Sequence, residues 1–350
     1  MGEFEAPVFI IAAPRSGSTL LYESLVKHPD FVSVKGESHA LIEGIPELSI
    51  VAKQFASNQL DADDASSSVT EQLHARFLAA CRTHNNQALS LANAPFRFLE
   101  KTPKNALRIN FISAMYPDAK FVYLVREPVA NISSIMDAWK SGKFVTYPQL
   151  PGWHGDWSLL LPPDWQSQRN KPLASVATFQ WAQTHISAIE ALNKLPKERV
   201  HVVSYEHFVQ SPVNQCNRIF EFAGLSHFSV THSDGPNLTH VTSSTLPLSR
   251  YTLTPPDKTK WHKHAIEISQ YLDVIHDSLK RLNQFIGSRD DIRLDIVENF
   301  KHIVSKQSAL RAQPAESTLP SPQRRPPISR NAPCHCGSGK RFKHCHGKPQ

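Results

Sequence analysis

The sequence predicts an α/β fold built on a central parallel sheet, with a small metal-binding module at its C-terminal end. Three observations predict it. Short β-branched apolar runs alternate with helical patterns over residues 1–303. The first run breaks into a loop of small residues with one arginine, Pro14-Arg15-Ser16-Gly17-Ser18-Thr19. Three of the five cysteines stand beside histidines in the last 17 residues.

Taken in order, Val8–Ala13 reads as a buried strand, and Leu20, Leu21, Tyr22, Leu25 and Val26 resume with helical spacing. The turn between them brings free backbone N–H groups and the positive end of a helix dipole to one point, a cradle for an anion. Aligning Gly17 with the last glycine of a Walker A loop puts Ser18 where the lysine should stand and Ala12 in place of the first glycine. The cation of an ATP-hydrolysing loop is therefore missing. Arg15 supplies one earlier in the loop, planar and able to grip two oxygens of a phosphate or sulfate.

The polar stretch Leu60–Val69 is expected to be a loop. Phe96–Leu99 reads as a second strand, closing on Glu100-Lys101-Thr102 before a helix over Pro103–Met115. Phe121–Val125 is a third, followed by Arg126-Glu127-Pro128 and a helix over Pro128–Trp139 that carries Ser133 and Ser134. Proline suits the first helical turn, where its missing N–H costs nothing. Tyr147–Pro172 holds Trp153, Trp157, Trp165 and five prolines, so it cannot be a regular helix. Its aromatics either line a pocket or pack a long loop onto the core. Leu173–Leu195 reads as a long helix, Val200–Val203 as the fourth strand before Tyr205-Glu206, and Val213–Ala223 as a helix. Such alternation implies a parallel sheet covered on both faces, with binding loops at the strand C-terminal ends. Arg15, Lys101, Arg126 and Tyr205 all fall at those ends, which supports one shared site.

The net charge of +7 is uneven: from Lys301 onward there are ten Lys or Arg and one acid, Glu316. The basic balance therefore belongs to the tail, which suits docking to a protein or nucleic acid or a solvated appendage. The start of the chain, MGEFEAP, is acidic, and no apolar run is long enough to span a bilayer. An odd number of cysteines clustered with histidine argues for metal rather than disulfides, and so for the cytoplasm.

The loop Pro14–Thr19 resembles the 5′-phosphosulfate loop of the sulfotransferases that use 3′-phosphoadenosine 5′-phosphosulfate (PAPS). The second strand-end element, Arg126 with Ser134 eight residues later, resembles the 3′-phosphate site of the same family. The resemblance implies a P-loop-like three-layer domain over residues 1–303. It implies that Arg15, Ser16, Gly17, Ser18, Thr19, Arg126 and Ser134 hold PAPS, and the product PAP after transfer. Tyr205, which opens a Tyr-Glu pair, Ser244 in the Thr242–Thr245 loop and Lys260 of Lys260-Trp261 join that group of donor contacts.

Transfer of a sulfuryl group needs positioning, cations and a base more than covalent chemistry from the protein. Glu37, in Lys35-Gly36-Glu37-Ser38, resembles the catalytic glutamate of the tyrosylprotein sulfotransferases; His39 is the rival base. His28 reads as structural. Lys101 stands where the family places a lysine near the bridging oxygen, but Pro103 follows Thr102 where the small-molecule group continues toward a catalytic histidine.

At the far end, Cys334-His335-Cys336, then Cys345-His346 after eight residues, resembles the SEC-C motif known from the bacterial protein-translocation ATPase. Three thiolates and one imidazole suit tetrahedral Zn²⁺, with Cys334, Cys336, Cys345 and His346 as the implied ligands. His335 and His344 are rivals for the fourth position. So small a unit builds no core and relies on the metal. Residues 304–331, richest in Pro, Ser and Arg from Ala312 onward, read as a linker to this module at 332–350. Such modules are mainly bacterial or plastid, which points to a bacterial cytoplasm. The expected function is sulfuryl transfer from PAPS to a hydroxyl or amine. The alternatives are a P-loop kinase-like enzyme and a non-catalytic nucleotide-binding adaptor acting through the tail.

Overall fold

The structure, a computed structural model, describes residues 3–228 and 258–312, with Asn331, Lys340, Arg341 and His344. Ser244, Cys334, Cys336, Cys345 and His346 lie outside the described residues. The chain divides into Met1–Lys306 and Gln307–Gln350.

Strands β1 (Val8–Ala12), β2 (Phe31–Val32), β3 (Arg97–Lys101), β4 (Lys120–Val125) and β7 (Val200–Ser204) form one parallel sheet in the order β2-β3-β1-β4-β7. A short antiparallel pair, β5 (Val145–Tyr147) and β6 (Trp157–Ser158), lies in the Trp-rich insert. The helices of the first half are α1 (Ser18–Leu25), α2 (His39–Glu43), α3 (Ser67–Ala80), α4 (Ile109–Met115), α5 (Pro128–Ser141) and α6 (Leu173–Leu192). Those of the second are α7 (Tyr205–Gln210), α8 (Pro212–Ala223), α9 (Ala265–Ser269), α10 (Leu272–Gly287) and α11 (Phe300–Ala312).

Side chains alternate across the central strands, as a doubly covered sheet requires. Phe9 and Ile11 of β1, with Phe121 and Tyr123 of β4, face one core made with α3, α4, α6 and α10. Val8, Ile10, Val122 and Leu124 face the other, made with α1 and α8. Each fully buried large apolar side chain contributes about 1.5–3 kcal/mol, so both faces of the sheet are anchored by their cores.

The four strands expected from the sequence are present, and the helix over 173–195 ends at Leu192. Two expectations are corrected. Leu60–Val69 is not all loop: a 3₁₀ turn covers Ala62–Asp64, and Ser66 caps α3 by accepting from Val69 N–H at 3.3 Å. The helix over Pro103–Met115 is two pieces, a 3₁₀ stretch Pro103–Leu107 and then α4, broken at Arg108, whose backbone leaves the helical region. In the insert, Trp157 and Trp165 are fully buried and pack edge to face against each other. They pack the loop onto the core, and Tyr147, Leu159 and Leu160 are the insert residues that reach the cavity. His28 is buried between Phe31 and Phe220, as a structural residue would be. Helix α11 continues over positions 304–312, the first residues of the expected linker.

Candidate active site

A cavity of about 670 Å³ opens at the C-terminal ends of β1, β3, β4 and β7. The loop after β1 forms its floor. Ser16 is fully buried, its hydroxyl 2.8 Å from Ala13 O and 2.9 Å from Asn131 Oδ1. The amide of Asn131 donates to Pro14 O at 2.8 Å, so α5 holds the loop from behind. Ser16 therefore shapes the loop, while Gly17, Ser18 and Thr19 line the cavity. The first helical bond runs from Leu21 N–H to Gly17 O, which leaves the N–H groups before it outside the ladder.

Two residues of the loop adopt left-handed backbone, Arg15 at φ 65° and Gly17 at φ 92°. At Gly17 the glycine is required twice over, because a Cβ there would lie 2.5 Å from two ring atoms of Tyr205. The same Tyr205 ring carries the Arg126 guanidinium at 4.5 Å, and Arg126 donates to Arg15 O at 2.9 Å. Arg15 in turn stacks on Phe144 at 4.7 Å. Burial, then the charge of Arg126, lowers the pKa of Arg15. The Nε atoms of both arginines are buried without a partner among the described residues. Two guanidiniums that repel each other at the mouth of a helix N-terminus make a seat for a polyanion. Ser134 and Lys260 also line the cavity.

Lys101, at the end of β3, joins this seat to Glu37. Its Nζ donates to Thr19 Oγ1 at 3.1 Å and to Glu37 Oε1 at 2.6 Å, with only 4% of the side chain exposed. His39 Nδ1 lies 3.7 Å from Glu37 Oε2. Desolvation pushes the Glu37 carboxyl up, but His39 and Lys101 outweigh it and hold the pKa at about 2. Glu127, beside Arg126, caps α5 by accepting from Val129 and Ala130 N–H. Burial of its carboxylate, against those bonds, raises its pKa to about 7.

The sequence reading missed a buried carboxyl that fixes the pair. Glu100 is fully buried and accepts from Ser38 Oγ, Thr102 Oγ1 and Asn105 Nδ2, each at 2.6 Å. Ser38 N–H also donates to Thr102 Oγ1 at 2.7 Å. The neighbours of Glu37 and of Lys101 are thus tied to one carboxyl, whose pKa burial raises. A charged residue inside a strand was the one available signal. Asp137, also in the cavity, pairs with Lys263 at 2.8 Å and with His264 at 3.0 Å, hooking the segment after Lys260 to α5.

A family model described as "Sulfotransferase family" matches residues 7–229. The chain belongs to the sulfotransferase family. A second model, the SEC-C motif, matches residues 330–348 of this sulfotransferase. A putative protein-tyrosine sulfotransferase of Caenorhabditis briggsae is 24% identical over 65% of this chain and 68% of its own. Nodulation protein NoeE of Sinorhizobium fredii is 23% identical over 63% of this chain and 49% of its own. The protein translocase subunit SecA of an Azoarcus species is 33% identical over 26% of this chain and 11% of its own. The chain thus spans about a tenth of that translocase subunit and half of the nodulation protein. Among solved structures, a sulfotransferase from Alicyclobacillus acidocaldarius aligns at TM-score 0.42 and 14% identity, over 82% of this chain and 97% of that one. No helix among the described residues is long and apolar enough to cross a membrane.

Proposed function

We propose that this sulfotransferase moves the sulfuryl group of PAPS to a hydroxyl or amine and releases PAP. The observation that carries the reading is the double contact of Lys101, which links Thr19 of the anion loop to Glu37. In this reading the N–H groups of the loop, with Ser18, Thr19 and Arg15, hold the 5′-phosphosulfate. Arg126, Ser134 and Tyr205 hold the 3′-phosphate, with Lys260 near by and Ser244 as a further donor contact.

The acceptor oxygen or nitrogen attacks sulfur in line with the bridging oxygen. The sulfur–bridging-oxygen bond breaks, its electron pair stays on the phosphate, and Glu37 takes the acceptor's proton. At about 2 the Glu37 carboxyl is a poor base. Lys101 corrects this by turning from Glu37 to the bridging oxygen when the donor arrives. Glu37 then loses its ion-pair partner and gains basicity at the step that needs it, while Lys101 meets the charge that develops on the leaving group. His39, beside Glu37, is the rival for the proton.

Arg126→Ala should weaken PAP binding about tenfold or more, since a charge-assisted hydrogen bond contributes about 1.5–3 kcal/mol. Glu37→Gln should keep PAP affinity and lose about 10²-fold or more in transfer of labelled sulfate. A fully active Glu37→Gln enzyme with an inactive His39→Ala enzyme would move the base to His39.

The SEC-C match and the spacing of Cys334, Cys336, Cys345 and His346 support a structural Zn²⁺ held by those four side chains. We assign this module a docking role toward a protein or nucleic acid, in keeping with the basic tail, and place the enzyme in a bacterial cytoplasm.

A further inference from the structure

Beyond Glu37 the cavity ends in a wall that no step above uses. Lys104, three residues past Lys101, lines it with only 9% of its side chain exposed. Its Nζ donates to both oxygens of Glu43, at 2.8 and 2.9 Å. Glu43 Oε1 also accepts from Arg108 Nη2 at 2.5 Å. Arg108 is 1% exposed, and its Nη1 has no partner among the described residues. Two cations thus share one carboxylate, and the wall carries a net positive charge largely out of water. Such a charge is costly until something pairs with it.

The hydroxyl of Tyr147 adds a direction. Its oxygen accepts from Asn58 Nδ2 at 2.5 Å and from Lys104 Nζ at 3.4 Å. The orientation of the Asn58 amide is fixed, because its Oδ1 accepts the Leu161 backbone N–H at 2.6 Å. Lysine only donates. Neither neighbour can take the phenolic proton, no described residue accepts it, and Tyr147 lines the cavity. Burial, then the charge of Glu43, pushes this phenol up to about 12, so the proton stays on oxygen. A polarised O–H donor and an ammonium therefore face the same space.

We propose that this wall is the acceptor-recognition subsite and that it reads an oxyanion. The acceptor carries a carboxylate or phosphate group besides the hydroxyl or amine that receives the sulfuryl group. Tyr147 donates to one oxygen of that anion, and Lys104 turns the N–H of its long 3.4 Å contact with Tyr147 to another, while Pro103, Leu159 and Leu160 flank the carbon frame between the anion and Glu37. The inference rests on the sulfotransferase reading of the cavity.

The test is calorimetry on the full-length protein saturated with PAP, using benzoate, phenyl phosphate and benzamide as probes of one ring and different charge. One of the two anions should bind about tenfold or more tighter than benzamide, and which one identifies the oxyanion. Tyr147→Phe should lose about tenfold of the anion's affinity, as loss of a charge-assisted hydrogen bond requires, and leave benzamide and PAP unchanged. Benzamide binding as tightly as both anions, no anion binding, or anion binding untouched in Tyr147→Phe would overturn the proposal. An anion that competes with PAP would place it in the donor seat, which refutes the subsite and leaves the donor reading standing. If PAP itself fails to bind, the sulfotransferase reading fails first and the subsite with it.

Discussion

Gly17→Ala should damage the donor seat out of proportion to its size. The new methyl would lie 2.5 Å from Cδ2 and Cε2 of Tyr205, whereas an ordinary carbon–carbon contact is about 3.5–4.0 Å. The ring must therefore retreat by about 1 Å to restore that separation. Its other neighbour is the Arg126 guanidinium, 4.5 Å from the ring centre, so Arg126 moves with it. In addition, left-handed backbone at φ 92° costs a residue with a Cβ about 1–2 kcal/mol. The fold should lose at least that much, a fall of about 2–3 °C in Tm for a domain of this size. PAP affinity should fall about tenfold, which is about 1.4 kcal/mol. The assay is a double-mutant cycle: thermal melts and PAP titrations of Gly17→Ala, Tyr205→Ala and the pair. With the ring gone, the methyl has space, so the second substitution should cost only the backbone term. Equal losses of PAP affinity from Gly17→Ala with and without the ring would refute the argument that Tyr205 couples the loop to Arg126.

Other consequences are as direct. In the free enzyme the Glu37 carboxyl should titrate near 2 by carbon NMR and move up toward 4.5 in Lys101→Met; an unmoved titration would deny the ion pair its role. Glu100→Gln keeps the shape of the buried carboxyl but not its charge, and should lower turnover more than it changes PAP affinity. A loss of turnover at one pH only, with a shifted acid limb, separates this from simple unfolding. His185 is fully buried, bonded to Tyr123 Oη at 2.5 Å, and burial lowers its pKa to about 3. The unfolded chain takes a proton there near 6.5, so the stability is fully present above that pH and is lost progressively as pH falls toward 3. Urea melts of His185→Gln should show a flatter slope across that window. Full-length protein purified without chelators should contain one zinc per chain, and a truncation after Gln313 should lose the zinc while still binding PAP.

How far the site could be read from sequence depends on how each part of it is built. The proposed donor seat is built at strand ends, from loop backbone and the side chains that stand there, and a strand end is a local event. An apolar run stops, small residues turn, and a helix begins. Arg15, Lys101, Arg126 and Tyr205 each stand at such a break, so four separate segments could be assigned to one place before any contact was known. The sheet order then brings them together, because β1 pairs with β3 on one side and β4 on the other, and β4 with β7. The wall beyond Glu37 is built by side chains instead. Asn58, Glu43, Lys104, Arg108 and Tyr147 come from four stretches with no common pattern, and the meaning of each depends on a partner 43 to 89 residues away. For the tryptophans of the insert the sequence leaves pocket lining and packing equally open, and burial decides for packing at Trp157 and Trp165. What decides the direction of the Tyr147 proton is a backbone N–H at Leu161 that orients Asn58, and no periodicity records that. The same holds for Glu100, which gathers Ser38 from 62 residues away. A phosphate seat made from backbone is common to many enzymes and leaves a local signature. An acceptor site must differ from one enzyme to the next, so it is assembled from side chains at long range and is legible only once they meet.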